Sequence, residues 1–119
     1  GFGQCVQIDG RQAGKIGEAI QEFQKAQGNP HRRIAAMNYL AQCYAKRKMF
    51  DLAARTLQNA IKEKPVFDEE KKDLTYNLGS VLESMGKKDE AIEQFKLIYE
   101  MDIGYKDVAA KVDAYYAAQ

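Results

Sequence analysis

The side chains best suited to chemistry are few and scattered. The chain has one histidine, His31, and two cysteines, Cys5 and Cys43. A side-chain nucleophile needs a base beside it and a further group to orient that base. His31 has no carboxylate or cysteine close to it in sequence, and no such set assembles around it. Two cysteines without other ligands do not make a zinc site. Gly10-Arg11-Gln12-Ala13-Gly14-Lys15-Ile16 resembles a phosphate loop at first sight. It has three residues between its glycines where the loop needs four, and Ile16 stands where a Ser or Thr must hold magnesium. No strand precedes it, so it reads as a turn between helices. The pattern points away from an enzyme and offers no cofactor site and no metal site.

Charge is the next chemistry available. Lys plus Arg number 18 and Asp plus Glu 17, a net +1. A dedicated nucleic-acid binder carries a basic excess, so no nucleic-acid partner is expected. His31-Arg32-Arg33, Lys46-Arg47-Lys48 and Lys87-Lys88 are local basic clusters, read as solvated helix ends because acidic residues intersperse them. No apolar run approaches the roughly 20 residues of a membrane span, so no membrane insertion is expected either. Tyr99, Tyr105, Tyr115 and Tyr116 crowd the C-terminal part. They suit a cover over exposed apolar surface better than a stacking platform for bases.

The elements that must position these residues are helices. Met37, Leu40, Ala41 and Tyr44 recur at i, i+3, i+4 and i+7, and Leu78, Leu82 and Met85 follow the same helical period. No stretch alternates long enough for a strand. The punctuation predicts helices near 1–8, 15–27, 31–47, 51–64, 69–85, 89–101 and 107–117. Gly28-Asn29-Pro30, Pro65, Gly86 and Gly104 separate them. Asp51 and Asp68 are expected as helix N-caps and Asp89 at the start of its helix, with Glu69 and Glu70 in a positive first turn.

These helices repeat. Ala19-Ile20-x-x-Phe23-x-x-Ala26 matches Ala53-Ala54-x-x-Leu57-x-x-Ala60 and Ala91-Ile92-x-x-Phe95-x-x-Ile98. Leu40-Ala41-x-x-Tyr44 lines up with Leu78-Gly79-x-x-Leu82, and Phe2-Gly3-Gln4-Cys5-Val6 with Leu40-Ala41-Gln42-Cys43-Tyr44. Ala or Gly in the small columns lets two helix backbones approach closely. From Ile34 to Phe67 the chain resembles the tetratricopeptide repeat, a helix-turn-helix unit of about 34 residues. Met37, Leu40, Ala41, Tyr44, Ala53, Leu57, Ala60 and Pro65 fall on its signature positions. The next unit fits at Leu78, Gly79, Leu82, Ala91 and Phe95. It departs at Thr75, where a large apolar residue is usual, at Ile98 and at Ile103. Ala19 to Ala53 is 34 residues and Ala53 to Ala91 is 38, which places an insertion around Val66–Lys71 that lengthens either that connection or the start of the next helix.

The resemblance implies an all-α, right-handed superhelical solenoid of antiparallel helix pairs. About seven helices are expected, including a truncated first one and a C-terminal capping helix. The expected layout is a single domain, 1–119, with a truncated first repeat at 1–30, a second at 31–67, a third at 68–105, and a capping helix and tail at 106–119. A chain that begins inside a repeat reads as a piece of a longer protein. Cys5 and Cys43 would sit in adjacent repeats, roughly 8–10 Å apart, too far for a disulfide. Free thiols suit a reducing compartment such as the cytoplasm without fixing it.

In that family the first helix of each pair lines a concave groove that holds a partner peptide. Here the groove positions would be Gln4, with Gln7 beside it; Asn38, Gln42 and Lys46, with Ala35 and Ala45 between them; and Asp73, Tyr76, Ser80 and Glu83, with Ser84. Amide side chains both donate and accept, which suits an extended peptide backbone, and Tyr76 offers an apolar body with a polar tip. The same residues also read as an ordinary solvated helix face. A clamp for a chaperone's carboxyl terminus, which in the family uses Lys, Asn and Arg at fixed groove positions, is not expected, because those positions correspond to Gln4, Tyr39, Asp73 and Asn77 and Asp73 would repel a carboxylate. The expected role is a non-catalytic scaffold for a protein or peptide partner. The competing expectation is a stretch of a longer solenoid, or a homo-oligomer formed through an N-terminal face around Phe2 and Val6.

Overall fold

The computed structural model describes residues 13–30 and 32–119. Among these residues there are six helices and no strand: α1 (Ala13–Ala26), α2 (Arg33–Lys46), α3 (Phe50–Lys62), α4 (Glu69–Ser84), α5 (Lys88–Met101) and α6 (Val108–Ala117). The expected helix near 1–8, and with it Gln4, Gln7 and Cys5, lies outside the described residues. The chain divides into two compact units at Pro65/Val66. Each is described by itself.

In the first unit, short connections fold α1 against α2 and α2 against α3. Six of the repeat's eight signature side chains belong to its core. Met37, Leu40, Ala41, Ala53, Leu57 and Ala60 are all at most 3% exposed. Ile16, Phe23, Leu40 and Cys43 form a cluster flanked by Ala19, Ile20, Tyr39 and Tyr44, and the Phe23 and Tyr39 rings stack at 5.9 Å. Arg33 at the start of α2 donates to Glu63 just past the end of α3, Nε to Oε1 at 2.8 Å and the second nitrogen to Oε2 at 3.0 Å. It also donates to the Gln27 carbonyl. The basic cluster expected only to be solvated thus contributes a two-pronged ion pair that ties the two ends of the hairpin.

In the second unit α4 packs on α5 and α5 on α6. Leu74, Leu78, Leu82, Ala91, Phe95, Ile98, Val108 and Val112 are buried. Thr75, out of place in the apolar column, is also buried, and its hydroxyl donates to the Lys71 carbonyl at 2.7 Å. A satisfied hydroxyl removes the main cost of burying it. A Cβ added at Gly79 would stand 2.6 Å from a Phe95 ring carbon, so only glycine lets that ring lie on the α4 backbone.

The helix starts correct part of the sequence reading. Asp68 does cap α4, its carboxylate accepting from the Lys71 N–H at 2.9 Å. Asp51 is not a cap, and Asp89 stands one residue inside its helix. They lie in the first turns of α3 and α5, which begin at Phe50 and Lys88 and have no side-chain cap. Those helices start a residue or two early, directly after Met49 and Lys87, which share one non-helical conformation, φ/ψ near −91/66 and −95/66. The inserted residues do not lengthen the connection: 27–32 and 63–68 both join helices over six residues. The insertion lengthens the helices on either side. α3 runs to Lys62, past Ala60, the counterpart of Ala26, and α4 starts at Glu69, before Lys71, the counterpart of Arg33.

Candidate functional site

The first helix of each pair carries the candidate face. On α2, Asn38 and Gln42 are half-buried, with Ala35 and Ala45 beside them, and Lys46 is exposed in the last turn. The opposite side of the helix holds the buried Met37, Leu40 and Ala41. On α4, Asp73, Tyr76, Ser80 and Glu83 follow one another at i, i+3, i+7 and i+10, so they form a single stripe.

That stripe has partners the sequence did not reveal. The Tyr76 hydroxyl donates to Asp107 Oδ1 at 2.6 Å. Its ring meets Phe95 and Tyr105 edge-on, at 5.4 and 6.0 Å. Asp73 accepts from the Tyr105 hydroxyl, and Lys106 Nζ lies 3.8 Å from the same carboxylate. Lys106 Nζ also stands over the rings of Tyr76 and Tyr105, 4.6 and 5.3 Å from their centroids. Lys111 on α6 reaches both carboxylate oxygens of Glu83 at 3.2 Å and lies 5.1 Å over the Phe95 ring. Lys72 binds Glu69 at 2.8 Å and Asp102 at 3.2 Å, pinning the start of the α5–α6 connection to α4. The segment from Asp102 to Lys111 is therefore fastened along α4, and three of the four stripe residues hold a partner within the chain. The complementary signal was Tyr105-Lys106-Asp107, an aromatic, a cation and an acid, some 31–32 residues beyond Asp73 and Tyr76. Nothing local connects groups so far apart.

The electrostatics follow the contacts. Burial first, and then the hydrogen bond to Asp107, pushes the Tyr76 hydroxyl up to about 12. The same bond holds the Asp107 carboxyl below its ordinary range, helped by Lys111 and Lys106. Tyr115 donates to Asp89 at 2.7 Å, and its hydroxyl is raised for that reason. Beside this network a cleft of about 430 Å³ opens between α5 and α6, floored by Ala91, Ile92 and Phe95 and rimmed by Lys88, Glu83 and Lys111. Among the described residues no group of three or more His, Cys, Asp and Glu is placed to hold a metal ion. Among the same residues no helix is long and apolar enough to cross a membrane.

Paired helices with buried small-residue contacts and polar first-helix faces define a helical-repeat protein. The family model described as tetratricopeptide repeat matches residues 11–70, and a second model of that description matches 73–102. The chain belongs to the tetratricopeptide repeat family, whose fold is a helical-repeat solenoid and whose members generally mediate protein–protein interaction and are typically non-catalytic. No curated protein and no solved structure matches the chain.

Proposed function

We propose that this chain is a non-catalytic scaffold that recruits a partner protein by binding a peptide or helix of it on the first-helix faces of its repeats. One observation carries the reading. In α2 and in α4 the face turned away from the buried apolar side carries polar side chains: Asn38, Gln42 and Lys46 on one, and Asp73, Tyr76, Ser80 and Glu83 on the other. Half-buried amides suit peptide recognition because they can pair with both N–H and C=O groups of an extended chain. Gln4 would extend the α2 face in the truncated first repeat. In this reading residues 31–67 and 68–105 are the complete repeats and 106–119 the cap, within one domain.

The test is selection of binders from a random peptide library against the whole chain, followed by affinity measurement on Asn38→Ala/Gln42→Ala and on Tyr76→Ala. Each variant is expected to lose about tenfold or more in affinity, about 1.4 kcal/mol, while remaining folded at the temperature of the measurement. Selected peptides that bind both folded variants as they bind the parent would overturn the assignment.

A second reading has its own observation. Leu97, Met101 and Ile103 in the second unit are 46, 61 and 59% exposed, and Val66 is 65% exposed. Apolar side chains left open at a repeat's edge suit packing against a further repeat or a second copy. Light scattering over a concentration series separates the two readings. A mass that rises with concentration supports self-association, and a monomer throughout counts against it.

A further inference from the structure

The α4 stripe is furnished with the chemistry of a cation receptor, and the chain shows how that receptor is used. Asp73, Tyr76 and Tyr105 surround the Lys106 ammonium with one carboxylate and two aromatic faces. About three helical turns along, Glu83 and the Phe95 ring do the same for Lys111. An ammonium over an aromatic face beside a carboxylate gains both from the ring quadrupole and from the opposite charge. Both lysines remain reachable by solvent, with side chains 49% and 26% exposed. Lys106 reaches its place from a left-handed backbone, φ 42, a conformation that disfavours any residue with a side chain. The occupant therefore holds its position at a conformational cost.

The geometry points to α4 as a binding surface for lysine-rich segments of a partner, with Lys106 and Lys111 as the internal occupants that a partner displaces. This rests on the reading of the α4 face as partner-binding and names the partner's chemistry: a basic peptide whose cations take the two carboxylate–aromatic positions. An internal lysine competes at the high effective concentration of a tethered group. Binding in trans is accordingly weak in the native chain and strengthens when the internal lysines are removed.

The experiment uses the full chain and a fluorescent octalysine peptide, read by anisotropy at low salt. Lys106→Gly suits the left-handed backbone, and Lys111→Met removes the ammonium while keeping an unbranched side chain suited to a helix. This double variant is expected to bind octalysine at least about tenfold more tightly than the parent. Adding Asp73→Asn and Glu83→Gln should erase the gain. Lys25→Gln/Lys62→Gln, which removes the same charge elsewhere, should show no gain, and octaglutamate should not bind the double variant. A folded double variant with no gain, a gain that survives loss of the two carboxylates, or an equal gain in the charge-matched control overturns the proposal. If the double variant does not fold, the parent chain decides the matter by NMR with saturating octalysine. Loss of the ring-current shifts of the Lys106 and Lys111 methylenes supports displacement, and unmoved shifts overturn it. The scaffold reading is probed by selected peptides on the α2 variants, so either failure leaves the other result readable.

Discussion

At the scale of single residues, two helix ends form a natural comparison. After α4, Gly86 has φ +78, and Lys87 and Gly86 donate to the Leu82 and Glu83 carbonyls. After α2 the same pair of bonds runs from Met49 to Tyr44 and from Lys48 to Ala45, with Lys48 at φ 62. Both ends close a left-handed cap, but only one has the glycine that such a cap favours. Lys48→Gly should therefore stabilise the chain by about 0.5–1 kcal/mol, and Gly86→Ala should destabilise it by about 1 kcal/mol, both read from denaturant melts. A cost at Gly86 cannot come from crowding, because an added Cβ there meets nothing within 4 Å. Gly79 is the opposite case. Its added Cβ strikes Phe95, itself 1% exposed and unable to retreat. Gly79→Ala should cost about 1–3 kcal/mol, and an unchanged melting midpoint would mean that the two helices are not held at their closest approach there.

At the scale of elements, α4 differs from α2, α3, α5 and α6 in having a side-chain N-cap as well as Glu69 and Glu70 in its first turn. Asp68→Ala should cost about 1 kcal/mol, while Asp51→Ala, which loses a charge in the first turn of α3, should cost a few tenths. Equal losses at the two positions would show that the dipole rather than the hydrogen bond carries the effect. The elements also show how far the sequence could be read. Period and punctuation located α2 to α6, because an apolar stripe at helical spacing has few other folded solutions. The small-residue columns at Ala41, Ala53, Gly79 and Ala91 identified the pairing, and all four are buried. Helix starts were less legible, since an aspartate in a first turn and one at a cap look alike in sequence. The candidate face was legible as a stripe but not in its occupancy. Asp107 was read as the opening of a helix, yet its carboxylate belongs to Tyr76, a pairing set by how the segment before α6 lies on α4.

At the scale of the molecule, the response to pH gathers these contacts into one curve. Glu63 is held low by the hydrogen bonds from Arg33, and Asp107 by that from Tyr76. A carboxylate whose folded value is depressed contributes stability above its unfolded value, near 4, and loses it as pH falls through the folded value. The acid limb should therefore involve both units, through Glu63 in the first and Asp107 in the second. Tyr76 behaves oppositely. Its folded value, pushed from 10.0 to about 12 by burial and Asp107, gives stability that is fully present below about 10 and lost as pH climbs toward 12. Tyr115, Lys72 and Lys96 are raised by their hydrogen bonds to Asp89, to Glu69 and Asp102, and to Glu93 and Tyr116, and they add loss in the same direction. All four groups lie in residues 66–119, so the alkaline limb should be a property of α4 to α6. Amide exchange at pH 7 and near pH 11 should show protection falling faster there than in α2 and α3, beyond the intrinsic rise in exchange rate. Tyr76→Phe should lower stability at neutral pH, because Asp107 loses its donor, and should flatten the decline between about pH 10 and 12, because the group that titrates is gone. A Tyr76→Phe chain whose melting temperature falls as steeply as the parent's over that range would show that the hydroxyl at the centre of the α4 network is not held in the buried, hydrogen-bonded state that its environment requires.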